Sequence, residues 1–374
     1  MALTRRERMT RIFEGRMPDR PAVKLWAVRP GQKLLHPSYE PIYRLGMEQT
    51  EVVSGGGSAF DLHFGRSRSD ITQTRRGPTD SDEWENVITE INTPEGTFRS
   101  TVRHSTVGKP GYRMEYFLKK PDDLKRLLSF PYEPFPFRAD AYHEAESLVG
   151  DRGITVFGLQ HAMYGLEQIM GSERFALWSL ECRDLLLEAM EVFAGRIRDH
   201  VTAAFESGLR PIFGFVGPEL CIPPLMSPRD FDDFVYRFDK PLIDQIHEGG
   251  SRVWVHCHGK MGPVLERFME MDVDVLNPLE PPPMGDLTLD EAFARVGDQM
   301  ALEGNVENHD LMTCSRDEVR DIVRQALEAG RGRRHILCTC SGYMEWPYPE
   351  ERYIENLQTY IEEGVRCAEE IGAG

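Results

Sequence analysis

The feature that most constrains the fold is a regular alternation between short apolar runs and helical patterns in the second half of the chain. Each run is followed by residues at helical spacing, as in Phe231, Val235 and Phe238. Strands that alternate with helices in this way predict βα units and a parallel sheet. The apolar runs of strand length occur at 153–160, 211–217, 252–257, 273–279, 300–306 and 335–340.

The first half of the chain supplies the remaining barrel elements. Residues 3–15 are predicted to form an amphipathic helix, and residues 22–27 read as a first buried strand. One or two more strands before residue 150 bring the count close to eight. No G-x-G-x-x-G turn follows any of these strands, which weakens a dinucleotide-binding fold. We therefore predict an α/β protein with a (β/α)8 TIM-barrel fold and an N-terminal helical segment.

An insertion with a different pattern precedes the regular part of the chain. Residues at about 84–103 contain two β-prone segments around the turn sequence Asn92-Thr93-Pro94-Glu95-Gly96, which predicts a β-hairpin. We interpret this hairpin as an excursion from the barrel. Residues 1–374 are thus expected to form a single domain.

Composition excludes several functional classes. A formal net charge of −17 argues against nucleic acid or an anionic membrane as the main partner, because phosphate binding requires clustered Lys and Arg. No apolar stretch reaches the length needed to span a bilayer, and residues 1–21 lack the apolar segment of a secretory signal. Seven cysteines are too few for a disulfide framework. We expect reduced thiols and a cytoplasmic protein.

Polar residues follow almost every predicted strand. In such barrels the functional groups lie at the carboxyl ends of the strands and in the loops that follow. A barrel built only for stability does not need this accumulation of groups that bind metals or move protons. The residues are Trp26, Arg29, Asp61, His63, Gln160, His161, Glu219, Cys221, His256, Cys257, His258, Glu280, Asn305, Glu307, Cys338, Cys340 and Tyr343.

The strongest signal is the pair His256 and His258. Residues two apart in a strand point to the same side, so their imidazoles can converge. Converging imidazoles suit Zn²⁺, and a thiolate from Cys340 or Cys338 together with the Glu280 carboxylate would complete a tetrahedral set. Cys257 then faces the helices unless the strand has already ended. The alternative is that both histidines only hydrogen-bond a substrate.

Three weaker signals accompany the histidines. Glu280 is followed by three prolines, which stiffen the loop and fix the direction of the carboxylate, although a rigid turn with a solvated acid gives the same pattern. Glu219 follows the strand at 211–217 and is either functional or an exposed loop acid. Gln160 and His161 end the strand at 153–160, where a histidine that only caps the next helix is equally plausible.

The order of these motifs resembles the uroporphyrinogen decarboxylase superfamily. That superfamily also contains zinc-dependent methyltransferases that act with corrinoid or coenzyme M, and O-demethylases of anaerobes. The resemblance covers most of the chain, because the motifs occur in the family's order and spacing. The matching segments are Arg16-Met17-Pro18-Asp19-Arg20-Pro21, Leu225-Met226-Ser227-Pro228-Arg229-Asp230-Phe231, His256-Cys257-His258-Gly259, Gly304-Asn305-Val306 and Glu355-Asn356-Leu357.

Two departures from the family pattern narrow the function. The decarboxylase carries an arginine-rich segment after its first strand for the porphyrinogen carboxylates, whereas only Arg29 remains here. The zinc methyltransferases carry His-x-Cys, where this chain has His256 and then His258. Cys340 falls about one residue from the position of the family's last cysteine. The resemblance therefore implies a similar metal site with a different ligand set.

The resemblance implies a zinc-dependent methyltransferase, and it gives each candidate residue a role. The zinc ligands would be His256, His258, Glu280 and Cys340, with Cys257 or Cys338 as possible replacements for one of them. Glu219 and His161 would be catalytic, and Trp26, Gln160 and Tyr343 would bind substrate. A methyl group would move between a small or aromatic methylated molecule and a corrinoid on a separate partner protein, since Asp61-Leu62-His63-Phe64-Gly65 is one residue short of a corrinoid motif.

Two other functions stay open at this point. The first is a cofactor-free decarboxylase that acts on a smaller or less acidic substrate. The second is a non-catalytic barrel that binds a tetrapyrrole or a corrinoid. The sequence does not identify the methyl donor or acceptor, the direction of transfer or the oligomeric state, for which a homodimer is one option.

Overall fold

The computed structural model describes residues 2–342 and 349–373, and its contacts divide the chain into two compact units. The first comprises the residues up to Ser58, Ala139–Leu159 and the chain from Phe205 onward. The second comprises Ala59–Arg138 and Gln160–Ala204. The expectation of a single domain stays a prediction.

The first unit contains eight parallel strands with helices between them, which confirms the predicted barrel class. Numbered in chain order over both units, the strands are β1 Ala22–Lys24, β2 Val52–Gly56, β3 Thr72–Pro78, β4 Trp84–Thr93, β5 Gly96–Ser105, β6 Tyr112–Glu115, β7 Gly153–Gly158, β8 Ile212–Val216, β9 Arg252–His256, β10 Val275–Leu279, β11 Ala301–Val306 and β12 His335–Thr339. The sheet of the first unit has the order β1-β12-β11-β10-β9-β8-β7-β2, and neighbouring strands pair in parallel. Between β1 and β2 the Glu51 N–H donates to the Val23 carbonyl over 2.8 Å, which links the two edges.

Helices follow the strands as the sequence pattern predicts. Ser227 and Ser315 each begin a helix through a capping box with the acid three residues later. The helices are α1 Arg5–Phe13, α2 Glu40–Gln49, α3 Pro121–Ser129, α4 Asp140–Val149, α5 Ala162–Met170, α6 Ser172–Glu181, α7 Arg183–Glu206, α8 Pro228–Phe231, α9 Arg237–Glu248, α10 Leu265–Glu270, α11 Leu289–Val296, α12 Asn308–Thr313, α13 Arg316–Ala329 and α14 Glu351–Ala373.

Helix α1 covers the amino-terminal ends of the barrel strands. Its apolar residues Met9, Ile12 and Phe13 are buried in one cluster with strand residues that include Val275 and Ala301. These two residues are the first of β10 and β11. Burial of such side chains contributes roughly 1.5–3 kcal/mol each. Since α1 closes this end, the opposite end of the barrel is left for chemistry.

The second unit contains a four-stranded antiparallel sheet in the order β3-β4-β5-β6. The predicted hairpin is confirmed as β4 and β5, with Thr93 paired to Gly96 across the turn. Phe64 packs edge-on against Phe98 and Phe130, with ring centroids 5.3 and 5.8 Å apart. This aromatic cluster joins the sheet to the segments on either side of it.

Within the described residues, no helix combines the length and apolarity that crossing a bilayer requires.

Candidate functional site

Two imidazoles lie side by side at the carboxyl end of β9. His256 is the last residue of the strand and His258 follows two positions later. Their ring centroids are 4.6 Å apart and their planes are nearly perpendicular, at 86°. The spacing of two residues thus brings both rings to one location, as the sequence indicates.

The neighbouring strand β10 fixes the orientation of both rings. Asn277 is paired in register with His256, and its Oδ1 lies 2.6 Å from His256 Nδ1. Glu280 follows the strand, and its Oε1 lies 2.7 Å from His258 Nδ1. Because an amide oxygen and a carboxylate only accept hydrogen bonds, both Nδ1 atoms donate. In the neutral rings each Nε2 therefore presents a lone pair, as metal binding or proton acceptance requires.

The two histidines differ in their electrostatic surroundings. Burial, and then the nearby His258, lower the pKa of His256 to about 4, so its ring is neutral at neutral pH. Burial alone would lower the pKa of His258 as well, but the hydrogen bond and charge of Glu280 outweigh it and raise this pKa. In return, His258 and the Gly259 N–H hold the pKa of the Glu280 carboxyl below its usual value despite its burial.

Cys340 and Glu307 add a thiol and a carboxyl group from the next two strands. Cys340 directly follows β12 and Glu307 directly follows β11. Burial, and then the carboxylates of Glu307 and Glu280, raise the pKa of the Cys340 thiol well above its usual value. Burial and the charge of Glu280 likewise raise the pKa of Glu307. Glu307 Oε1 is buried and has no hydrogen-bond partner among the described residues.

Glu219 and Trp26 border the same cluster. Glu219 lies in a short turn after β8, where its Oε2 accepts the Gly217 N–H over 3.1 Å, and its charge acts on His258 and Cys257. Trp26 presents its edge to His256, with ring centroids 5.6 Å apart. Six predicted site residues are therefore brought together at the strand ends, namely Trp26, Glu219, His256, His258, Glu280 and Cys340.

The remaining predicted residues have other surroundings. Gln160 belongs to the second unit, where its side chain accepts the Leu62 N–H and donates to the Phe60 carbonyl. His161 caps α5 in that unit by accepting the Tyr164 N–H, which is the alternative role that its sequence position offered. Tyr343 lies outside the described residues. The substrate and catalytic roles of these three residues stay predictions.

The side chains of this cluster are of the types that bind zinc, although they are not arranged in a zinc coordination geometry. Imidazole nitrogens, a thiolate and carboxylates are the ligands that zinc prefers, and the Glu307 oxygen without a hydrogen-bond partner is a further acceptor. Among the described residues, no three His, Cys, Asp or Glu side chains are placed so as to hold a metal ion. The four predicted ligands therefore stay a prediction.

Sequence reasoning gave no role to two residues that the structure places at the centre of this cluster. Asn277 is completely buried and orients His256. Glu307 contacts the Cys340 thiol. The sequence signal for Glu307 was its place at the end of a predicted strand. Asn277 stands inside its strand, so only the register of β10 against β9 reveals it.

The chain is similar to known proteins in both sequence and fold. A profile of the family described as Uroporphyrinogen decarboxylase (URO-D) matches residues 114–360, more than half of the chain. The uroporphyrinogen decarboxylase of Hydrogenovibrio crunogenus is 29% identical over 155 residues, which are 39% of this chain and only 40% of that protein. A solved methyltransferase from Methanosarcina mazei superposes with a TM-score of 0.61 at 14% identity, over 97% of this chain and 98% of that one. At 14% identity, the similarity to the solved methyltransferase shows the fold alone.

Proposed function

Because the chain belongs to the uroporphyrinogen decarboxylase (URO-D) family, we propose that it is a methyl-transferring enzyme whose reaction takes place around His256 and His258. The observation that carries this proposal is the pair of imidazoles that are anchored through Nδ1, which leaves Nε2 of each outside the anchoring hydrogen bond, in a cluster that also holds a thiol. Such a set is suited to a thiophilic divalent metal.

We propose zinc as that metal, with His256, His258, Cys340 and Glu280 as its ligands. Glu280 is also placed to act as the carboxylate partner that orients a metal-bound histidine, in which case the orphaned oxygen of Glu307 would take its place. A bound zinc ion would supply Lewis acidity to the oxygen of a methyl ether or alcohol, or to a thiol that accepts the methyl group.

The protein's own side chains would orient the reactants and handle the proton. Asn277 keeps the Nδ1 proton on His256, so that its Nε2 lone pair is available. Glu219 acts on His258 electrostatically and would hold a proton for the leaving or attacking group. Trp26 would form a wall of the substrate site. The corrinoid would be carried by a separate partner protein.

The charge of the site argues against a porphyrinogen substrate. The carboxyl groups of three acids, Glu219, Glu280 and Glu307, act electrostatically on His258, and negative charge on them would repel a molecule with many carboxylates. Arg29, the residue left from the family's arginine-rich segment, donates its Nε hydrogen to Gln32 over 2.8 Å in an exposed contact. A small neutral or cationic substrate suits this site better.

A second candidate is metal-free decarboxylation of a small acid. It is favoured by the His258–Glu280 pair, in which the raised pKa of His258 keeps a proton available to protonate a carbanion. The family match and the partial match to a decarboxylase are compatible with it.

Elemental analysis of the purified protein separates the two candidates. We expect about one zinc per chain, lost in His256→Ala and in Cys340→Ala. It should be retained in the matched controls His247→Ala and Cys367→Ala, which replace a histidine and a cysteine outside the cluster. Methyl transfer to cob(I)alamin is then assayed with a panel of methyl ethers, alcohols and amines. Zinc that is unaffected by either site variant, or decarboxylation that survives chelation, would refute the methyltransferase proposal.

A further inference from the structure

A buried ion pair links two strands of the barrel, β1 and β11, which lie on either side of β12. Lys24 in β1 donates to the carboxylate of Glu303 in β11, and their residues are 2% and 1% exposed. A pair of charges removed from water contributes little net stability, and apolar residues of similar size often stabilise a core equally well. The presence of this pair therefore calls for a role other than holding the barrel together.

Both charged groups contact an indole ring. Trp254 Nε1 donates to the second carboxylate oxygen of Glu303 over 2.9 Å. The Lys24 ammonium lies 3.9 Å from the ring centroid of Trp26 and 5.4 Å from that of Trp254. A hydrogen bond and two cation–π contacts thus restrain both rings. The ion pair fixes the orientation of two large side chains at once.

The two indoles in turn both contact the imidazole of His256. Trp254 is stacked on it, with centroids 5.6 Å apart and planes inclined by 28°. Trp26 meets it edge-on at 84°. The two indoles also contact each other, with ring centroids 6.0 Å apart, and together with Asn277 at Nδ1 they leave His256 little freedom to turn. A ring held in this way presents its Nε2 lone pair in one direction.

We infer that Lys24 and Glu303 are positioning residues for His256, and that they act through Trp254 and Trp26. This inference rests on the proposed function, since it assigns the network to the histidine that we propose as a metal ligand. Neither charged side chain needs to contact substrate. The network supplies the support around a ligand on which metal affinity commonly depends.

The first test is the substitution Trp254→Phe, which keeps an aromatic face toward His256 but removes the N–H that reaches Glu303. We expect zinc affinity, measured by competition with a chromophoric chelator, to fall by about 10- to 100-fold. Trp178→Phe is the matched control, because Trp178 is a buried tryptophan of the second unit at 5% exposure. A second variant, Lys24→Met with Glu303→Leu, removes both charges together and so leaves no lone buried charge.

A measurement without metal separates this inference from the proposed function. In protein labelled with ¹³C-histidine, the Cε1–H signal of His256 is expected to carry a ring-current shift from both indoles. We expect this shift to decrease in Trp254→Phe and in the double variant, but not in Trp178→Phe. An unchanged signal in both variants would overturn the positioning role even if zinc binds. A displaced signal in a protein that binds no zinc would support the positioning role and refute the proposed zinc enzyme.

Discussion

His256 and His258 stand two positions apart, yet their partners give them opposite tendencies to hold a proton. A neutral amide orients His256, and burial keeps its pKa at about 4. A carboxylate orients His258, and its pKa is raised in spite of burial. The pair therefore offers one imidazole whose pKa is lowered to about 4 and one whose pKa is raised above its ordinary value. A site that must both bind a ligand and move a proton requires these two behaviours.

The substitution Glu280→Gln tests the origin of this difference. Without the carboxylate, only the smaller effects of Glu219 and Glu307 oppose the lowering effect of burial on His258, so we expect the pKa of His258 to fall. Activity or metal affinity should fall by about 10- to 100-fold, as is typical when a residue that orients a metal-binding histidine is replaced. Histidine NMR titration measures the pKa. As the control, Asp274→Asn removes a carboxylate that contacts His247. This substitution should leave the pKa of His258 unchanged. A pKa of His258 that stays raised in Glu280→Gln would rule out the carboxylate as its cause.

At the scale of residues, the sequence reveals positions but not partners. The spacing of His256 and His258 predicts a shared face, because side chains in a strand alternate. The choice of Asn277 as the partner of His256 depends on the register of two strands, which spacing alone does not fix. The contact between Glu307 and Cys340 depends in the same way on how β11 pairs with β12.

At the scale of elements, Glu51 connects the two edges of the barrel sheet. Its backbone N–H donates to the Val23 carbonyl, and its side chain accepts the Val23 N–H over 2.6 Å. The same carboxylate pairs with Arg8 at 2.6 Å and with Arg20 at 3.3 Å, and it is fully buried. One residue thus ties β1, the start of β2 and helix α1 together. We call this junction between the two edge strands β1 and β2 the Glu51 seam. The Glu51 carboxylate accepts a strand N–H that a neighbouring strand would otherwise bind.

We expect Glu51→Ala to lower the free energy of unfolding by roughly 3–5 kcal/mol, because it leaves the buried Arg8 with an incomplete set of partners. Urea denaturation measures the change. Glu14→Ala is the matched control, since the ion pair of Glu14 with Arg16 is largely exposed and should contribute about 0–1 kcal/mol. Zinc bound per folded molecule should be unchanged in both variants. A loss as small as that of the control would show that Glu51 is not essential to the seam.

Elements were predictable where apolar periodicity was strong. The six runs after residue 150 correspond to β7–β12, with ends displaced by only a few residues. Strand β2 was not located, because Val52 and Val53 are followed by Ser54 and two glycines. Strand β3 was missed because its sequence, TQTRRGP, is polar and mostly exposed and carries no apolar pattern. Its hydrogen-bonded pairing with β4, and not burial, makes it a strand.

At the scale of the whole molecule, structure and chemistry are separated along the barrel axis. Helix α1 and the Glu51 seam stabilise the amino-terminal ends of the strands. The histidines, Cys340 and the acidic residues lie at the carboxyl ends, where loops tolerate change without loss of the core. This division lets one family fold support different reactions, so the site residues rather than the barrel decide which reaction occurs.

Acid stability is a property of the whole molecule that buried histidines should set. Burial lowers the pKa of His335 to about 4, and its residue is fully buried with Nε2 3.1 Å from the Gly304 carbonyl. The unfolded chain binds this proton near pH 6.5, whereas the folded one resists it, so stability present above pH 6.5 is lost as the pH falls toward 4. The loss amounts to roughly 3 kcal/mol for this residue, and His200 and His256, whose pKa values are also lowered to about 4, should add to it. Urea denaturation at a series of pH values should show a shallower decline in His335→Gln, whose amide still donates to Gly304 but does not titrate, with the surface substitution His309→Gln as control. If wild type and His335→Gln lose stability in parallel, the folded protein must take up this proton without cost, and the buried histidine does not set its acid limit.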